Sequence, residues 1–428
     1  MYFSTQDLQG DLKLLDRSQK IYDAVAFRVQ ETRQSGPRND TIAVTLREST
    51  LDADTLSLVL LAENHPAITT VYLVVESLDR FHQTHEELVS QLDLLNLNIE
   101  AVSYRSELLQ TALIESWITF IRNSRDLLYH RFLNSDPKRN FVQIYHGLAK
   151  GSGNLRRDSQ EKQREKRLNS LSYQKPFLSR ISTAVDLYTV STDIERFYRS
   201  AADGIQPALI QKCGYPKYDR LYELIDSEGA KPIVPKETQR TLEADDVQYR
   251  ILYAPTHRGS YGLTKLFPFD DFDIKTLRAE LASWNAELYI RTHISEERAG
   301  TYDDVVDGSV IKYAGHSFSP SSTEILPYFD VLVTDYSSIY TEYLPLDRPI
   351  IFVKDTGTDY FRSKGLALDY GTYFPGPKVD RLNDLTTELE LSLNDNQYYA
   401  DDREFVAKAL LPDPDQQFLA SVMQNLSQ

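Results

Sequence analysis

The amino-acid sequence predicts an α/β protein made of two Rossmann-like, doubly wound domains facing across a cleft. Three observations carry that prediction. Short β-branched or aromatic runs alternate with stretches long enough for a helix, the pattern of parallel sheets covered by helices on both faces. The chain has 428 residues, enough for two ordinary domains with a core each, and two sheets fit that length better than one very large sheet. Residues 330–353 read as a complete strand–helix–strand unit whose first strand ends in a polar, hydroxyl-rich turn, Thr334-Asp335-Tyr336-Ser337-Ser338.

In the first half the candidate strands are residues 41–46, 70–75, 99–104, 141–145 and 187–191. In the second half they are 249–254, 287–291, 331–334 and 350–353. Gly and Pro punctuate the pattern at Cys213-Gly214-Tyr215-Pro216-Lys217-Tyr218-Asp219, which marks the hinge, and a polar connector follows over 225–247. The expected division is a first domain over 1–220, a second over 221–400, and a helical segment over 401–428 broken at Pro412 and Pro414.

The 63 acidic residues outnumber the 47 basic ones, for a net charge of −16. That balance argues against general nucleic-acid binding and against attachment to anionic lipid by overall charge. Residues 154–168 run the other way, with six basic and three acidic side chains. They form either a solvated face or a weak peripheral contact for a polyanion or lipid headgroup. Cys213 is the only cysteine, so no disulfide can form within the chain. The opening Met-Tyr-Phe-Ser-Thr-Gln-Asp lacks the basic and apolar regions of a signal peptide, and no apolar run reaches the length of a membrane span. The expectation is a cytoplasmic protein, at most peripheral to the inner face of a membrane.

Three histidines share one context: His146, His257 and His293 each sit just past the carboxyl end of a predicted parallel strand, where the cleft of a doubly wound domain lies. One histidine in such a place is usually structural; three in equivalent places weaken that reading. Arg258 and Arg291 lie beside two of them, and a guanidinium fork suits a diphosphate. Ser337 and Ser338 offer hydroxyls and N–H groups at a helix start. His146 and Gly147 open a turn containing Lys150, Gly151 and Gly153, through which backbone could approach a substrate. A histidine near neutral pKa can take a proton from an attacking hydroxyl while cations hold a leaving phosphate. These parts suggest transfer of a phosphorylated group. The sequence has no P-loop, no Gly-x-Gly-x-x-Gly after the first strand and no paired cysteines or His-Glu-x-x-His for zinc. Asp271-Phe272-Asp273 has the form of a metal-binding Asp-x-Asp but reads as an acidic surface loop.

Four segments, in order, resemble those of the CDP-glycerol glycerophosphotransferase family, the teichoic-acid and capsule polyol-phosphate transferases. Gln143-Ile144-Tyr145-His146-Gly147 resembles its Gln-x-Trp-His-Gly, and Gly214-Tyr215-Pro216-Lys217-Tyr218-Asp219 its Gly-Tyr-Pro-Arg-x-Asp. Tyr253-Ala254-Pro255-Thr256-His257-Arg258 resembles Tyr-Ala-Pro-Thr-aromatic-Arg. Residues 330–352 resemble its Asp-Val-Leu-Ile-Thr-Asp-Tyr-Ser-Ser element with the trailing Asp-Lys-Pro-Ile-Ile, and Arg291-Thr292-His293 adds a weaker match to Arg-x-His-Pro. The departures are Tyr145 for tryptophan, Lys217 for arginine, His257 for an aromatic, Ile294 for proline, and a glycine turn after Gly147 that looks one residue shorter.

The resemblance implies a GT-B-like pair of domains, the first on the acceptor side and the second binding a CDP-polyol. It implies displacement at the β-phosphorus of CDP-glycerol or CDP-ribitol by an acceptor hydroxyl on a polyol phosphate or lipid-linked glycan, with release of CMP. Carried over by position, His146 is the base; Arg258 and His293 act on the diphosphate with Ser337, Ser338 and Arg291. Gly147 and His257 line the substrate site. Glu342 contacts the polyol or positions the serines, and Asp335 braces the turn. No cofactor and no metal are expected. Two other readings stand beside this one: a nucleotide-sugar glycosyltransferase or sugar 2-epimerase on the same fold, and a non-catalytic scaffold subunit.

Overall fold

The computed structural model describes residues 37–427 except 47–48, 104–105, 107, 123–138, 145–184, 204, 228, 245, 257–265, 293–295, 298–299, 301 and 355–365. Two all-parallel sheets organise it. The first holds β1 (Arg38–Thr45), β2 (Thr70–Val75), β3 (Asn98–Ser103), β4 (Ser116–Ile121), β5 (Asn140–Ile144), β6 (Leu187–Val190) and β7 (Ile210–Lys212), in the order β3-β2-β1-β4-β5-β6-β7. The second holds β8 (Tyr249–Ala254), β9 (Ala286–Ile290), β10 (Ile311–Tyr313), β11 (Val331–Thr334), β12 (Ile350–Val353) and β13 (Lys378–Val379), in the order β10-β9-β8-β11-β12-β13. Strand order reverses between β1 and β4 in one sheet and between β8 and β11 in the other. Those reversals open a crevice at the carboxyl ends of the strands.

The inner strands of each sheet are buried on both faces because their near-continuous apolar runs send side chains into a core on either side. In β8, Leu252 and Ala254 join Leu332, Ile350, Phe352 and Tyr340 on one side. Ile251 and Tyr253 join Val331, Val333 and Ile351 on the other, under α7 (Ile274–Ser283) and α9 (Leu382–Asn394). The first sheet is built alike, with Ile42, Val44, Ile118 and Phe120 on one face and Ala43, Tyr72, Val74 and Tyr188 on the other. The Asp271-Phe272-Asp273 triplet is spent on helix starts: Asp273 accepts from the N–H groups of Lys275 and Thr276 at the head of α7, and Asp271 from Leu382 at the head of α9.

The proline break near the carboxyl end divides two helices between the sheets. α10 (Ala400–Leu410) places Val406 and Leu410 in the second core, whereas α11 (Phe418–Leu426) returns to the first, where Phe418 lies 6.0 Å from Phe120, centroid to centroid. No described helix is long and apolar enough to cross a membrane. The basic stretch 154–168 lies outside the described residues.

The strands read from the sequence are all present, and among the described residues four more accompany them. β4 begins at Ser116 directly after α3 (Leu108–Glu115), with no Gly or Pro between them. β7, β10 and β13 are sheet edges of two or three residues, too short to show a period. The 225–247 connector contains a short helix, α6 (Lys236–Glu243).

Candidate functional site

The crevice of the second sheet is bracketed by Asp335. β8 and β11 pair in register, Thr334 opposite Ala254, and the Thr334 hydroxyl donates to the Ala254 carbonyl at 2.7 Å. One residue on, Asp335 Oδ1 accepts from the Thr256 N–H (2.8 Å), the Thr256 hydroxyl (2.6 Å) and the Tyr336 N–H (2.6 Å). Asp335 is buried. It fixes the turn carrying Ser337 and Ser338 against the segment that leads into His257 and Arg258, which supports its reading as a brace.

Ser337 and Ser338 are partly exposed at the head of α8 (Ile339–Tyr343), and the Ser338 side chain makes no capping bond. With five residues before a 3-10 turn at Leu344–Leu346, α8 is too short to add much dipole. Any grip on an anion here rests on the hydroxyls and nearby N–H groups.

Arg291 follows β9. Its Nη1 donates to the carbonyls of Ala314 (2.9 Å) and Ser319 (3.0 Å), with longer approaches to Gly315 and Pro320. The guanidinium therefore holds the 314–320 turn at the crevice edge. Burial lowers its pKa to about 10, against the pull of the Glu342 and Glu297 carboxylates. Glu342 also has protein partners: Oε1 accepts from Lys217 Nζ at 2.9 Å and Oε2 from the Ser322 hydroxyl at 2.8 Å.

The first sheet's crevice is built around Arg122, just past β4. Its backbone N–H donates to the Thr45 hydroxyl at the end of β1, and Nη1 reaches the Ile144 carbonyl at the end of β5 (3.4 Å). Nη2 meets Asp52 Oδ2 at 2.9 Å and Asp54 Oδ2 at 3.0 Å. Asp52 caps α1 (Ala53–Glu63) through the Thr55 N–H. Asp54 is wholly buried; desolvation raises its pKa, while Lys217 and Arg122 pull it down. Ile144 stands two residues before His146, so Arg122 holds the strand end from which His146 departs.

Of the residues expected in the site, Arg291, Ser337, Ser338 and Glu342 stand as just described. His146, Gly147, His257, Arg258 and His293 lie outside the described residues, as do Lys150, Gly151 and Gly153. Sequence reasoning missed Arg122, Asp52, Asp54 and Ser322. Only Asp52 leaves a local signal, an Asp ahead of an apolar helical run; the others are joined by tertiary contacts.

The family model of CDP-Glycerol:Poly(glycerophosphate) glycerophosphotransferase matches residues 34–425. The chain is 26% identical over 264 residues to the teichoic acid ribitol-phosphate polymerase TarK of Staphylococcus aureus, covering 59% of this chain and 46% of TarK. It is 30% identical over 187 residues to a teichoic acid glycerol-phosphate transferase of the same organism, covering 42% of this chain and 44% of that one. The match thus spans under half the length of each of these curated relatives. Among solved structures it is similar to the wall teichoic acid polymerase TagF, with a TM-score of 0.70 and 18% identity over 99% of this chain and 97% of that one. That likeness makes the fold GT-B-like, as expected from the sequence.

Proposed function

Because this chain belongs to the CDP-Glycerol:Poly(glycerophosphate) glycerophosphotransferase family, we propose that it moves a polyol phosphate from a CDP-activated donor to an acceptor hydroxyl in teichoic-acid or capsule-type polymer synthesis. The observation that carries the reading is the Asp335–Thr256 bracket. It joins the Ser337–Ser338 turn to the strand end preceding His257 and Arg258, so that two separate family-like segments converge on one crevice.

In this reading the acceptor oxygen forms a bond to the β-phosphorus of the donor as the bond to the bridging oxygen breaks. CMP leaves with that oxygen, and the acceptor proton passes to His146. Arg258 and His293, with the hydroxyls of Ser337 and Ser338, offset charge on the diphosphate. Gly147 and His257 line the substrate site. Arg291 acts one step back, through the 314–320 turn. The route uses no resident cofactor, so a chelating agent should leave the rate unchanged. Relatives named for ribitol phosphate and for glycerol phosphate both match, which makes CDP-glycerol and CDP-ribitol the two donors to compare. We place the protein in the cytoplasm, with residues 154–168 as a weak contact to the membrane face.

The test is CMP release from CDP-glycerol, CDP-ribitol and UDP-sugars, with a glycerol-phosphate oligomer as acceptor. CMP from a CDP-polyol, abolished by His146→Ala, supports the reading. UDP from a sugar donor and no CMP would replace it with a glycosyltransferase on the same fold. Unchanged polymer production by His146→Ala would favour the scaffold reading.

A further inference from the structure

The segment from Gly214 to Arg220 fastens the two sheets to each other, and its consecutive side chains go to different places. β7 ends at Lys212, Gly214 turns the chain with a left-handed φ of +74°, and Pro216 opens α5 (Pro216–Asp226). Two side chains hold the first-sheet side. The Tyr215 hydroxyl donates to Glu195 Oε1 in α4 (Asp193–Asp203) at 2.5 Å, and Asp219 Oδ2 accepts from the Phe418 N–H of α11 at 2.6 Å. Three reach the second. Lys217 Nζ meets Glu342 (2.9 Å), the Tyr218 hydroxyl meets Thr341 Oγ1 (3.3 Å), and Arg220 meets Glu324 (2.9 Å).

Two of those bonds land on adjacent residues of α8. The Thr341 hydroxyl in turn donates to the Ser338 carbonyl at 2.8 Å, so the path from Tyr218 to the serine turn is two hydrogen bonds long. Lys217 is 3% exposed, with its ammonium 5.5 Å from the Tyr215 ring and 5.6 Å from the Tyr218 ring. A charge so enclosed needs carboxylates near it. Glu342 of the second crevice pairs with it directly, and the Asp54 carboxylate, which meets Arg122 in the first, also favours its charged form. Moving the crevices apart would leave the ammonium with only one of them.

We propose that Lys217, assisted by Tyr218, is a positioning residue. It sets the Ser337–Ser338 turn of the second crevice at a fixed distance from the first, where Arg122 holds the strand end that leads to His146. Glu342 is then the far anchor of this brace. The catalytic part of the inference rests on the function proposed above; the positional part does not.

Two measurements on the full chain separate these parts. The first is steady-state CMP release by Lys217→Met, Lys217→Arg and the doubly neutral Lys217→Met/Glu342→Gln, which leaves no unpaired buried charge if the single variant fails to fold. A displacement of about 1 Å can cost on the order of 100-fold in rate, so Lys217→Met and the double variant should lose kcat on that scale. Donor KM should hold in Lys217→Met, and Lys217→Arg, which keeps the buried charge, should retain more of the parental kcat than Lys217→Met. The second is amide hydrogen exchange over residues 338–343. Protection there should fall in Lys217→Met and in the double variant and return in Lys217→Arg. Unchanged exchange in both neutral variants overturns the brace, whatever the kinetics. A rise in donor KM with kcat unchanged overturns positioning in favour of a binding role. A parent that releases no CMP defeats the proposed function alone, and exchange still decides the brace.

Discussion

Arg220 and Glu324 meet through a two-point fork: Nε lies 2.9 Å from Oε1, and Nη2 lies 2.9 Å from Oε2 of a fully buried carboxylate. Glu324 also accepts from the Ile233 N–H, while Arg220 reaches Glu223 and the Lys231 carbonyl. The fork thus ties α5, the chain after it and the turn before Leu326 into one unit. Deleting one member of a buried pair strands the other charge, at a cost of about 3–5 kcal/mol. Arg220 keeps its partly exposed Glu223 partner, so Glu324→Ala should lower the unfolding free energy by about 3 kcal/mol, the low end of that range, in urea titrations, and Glu324→Ala with Arg220→Met should recover part of it. A loss under about 1 kcal/mol for the single variant would mean that the pair contributes no more than a surface bridge.

Asp335 gives the second prediction. Its Oδ1 gathers three donors from two strand ends, and a hydrogen bond to a charged group contributes about 1.5–3 kcal/mol. If that free energy fixes the serine turn relative to the segment before His257 and Arg258, Asp335→Ala should lower kcat/KM for CMP release roughly 10- to 100-fold. A variant with parental kcat/KM and normal folding would show that the crevice does not depend on the bracket.

The sequence made the sheets legible because burial on both faces leaves a local trace, a short β-branched run with helix-length gaps either side. β8, β9, β11 and β12 were readable for that reason, within a residue or two of their ends. β4 left no trace because Ser116 continues a helix without a break, and an apolar run after a helix looks like more helix. The crevices were legible in part, since the strand ends and the serine turn stand in recognisable local order. The partners of Arg291 and Glu342 were not. A guanidinium beside a histidine reads as a phosphate ligand, and nothing local shows that Nη1 of Arg291 donates to carbonyls 23 and 28 residues away. The Lys217–Glu342 pair spans 125 residues, and no spacing rule reaches that far.

Gly376 supplies a third prediction. Its φ is +146°, and a Cβ there would stand 1.9 Å from the Ile350 carbonyl oxygen, a backbone atom at the start of β12 that has no side-chain freedom. Gly376→Ala must push β13 away from β12 or bend the chain before it. The expected loss is roughly 3 kcal/mol or more, with exchange protection falling first at Phe352 and Lys354, which donate to the carbonyls of Pro377 and Val379. Parental stability would mean that this edge yields without resistance.

Asp219 makes stability depend on pH in a direction opposite to acid denaturation. Its side chain accepts from the Phe418 N–H, and burial pushes its pKa up to about 7 against the pull of that bond and of its own N–H. An unfolded chain releases the same proton near 3.8. Between those values the folded protein holds a proton that the unfolded chain has lost, so this group's contribution falls as pH rises through the window and is level outside it. Asp219→Asn fixes the neutral state and can still accept from Phe418. It should be more stable than the parent above pH 7, by about 2 kcal/mol once the partial exposure of the side chain is discounted. The advantage should shrink toward zero as pH falls to about 4. The comparison cancels every other titrating group, so parallel curves for variant and parent from pH 4 to 8 would mean that Asp219 is ionised throughout.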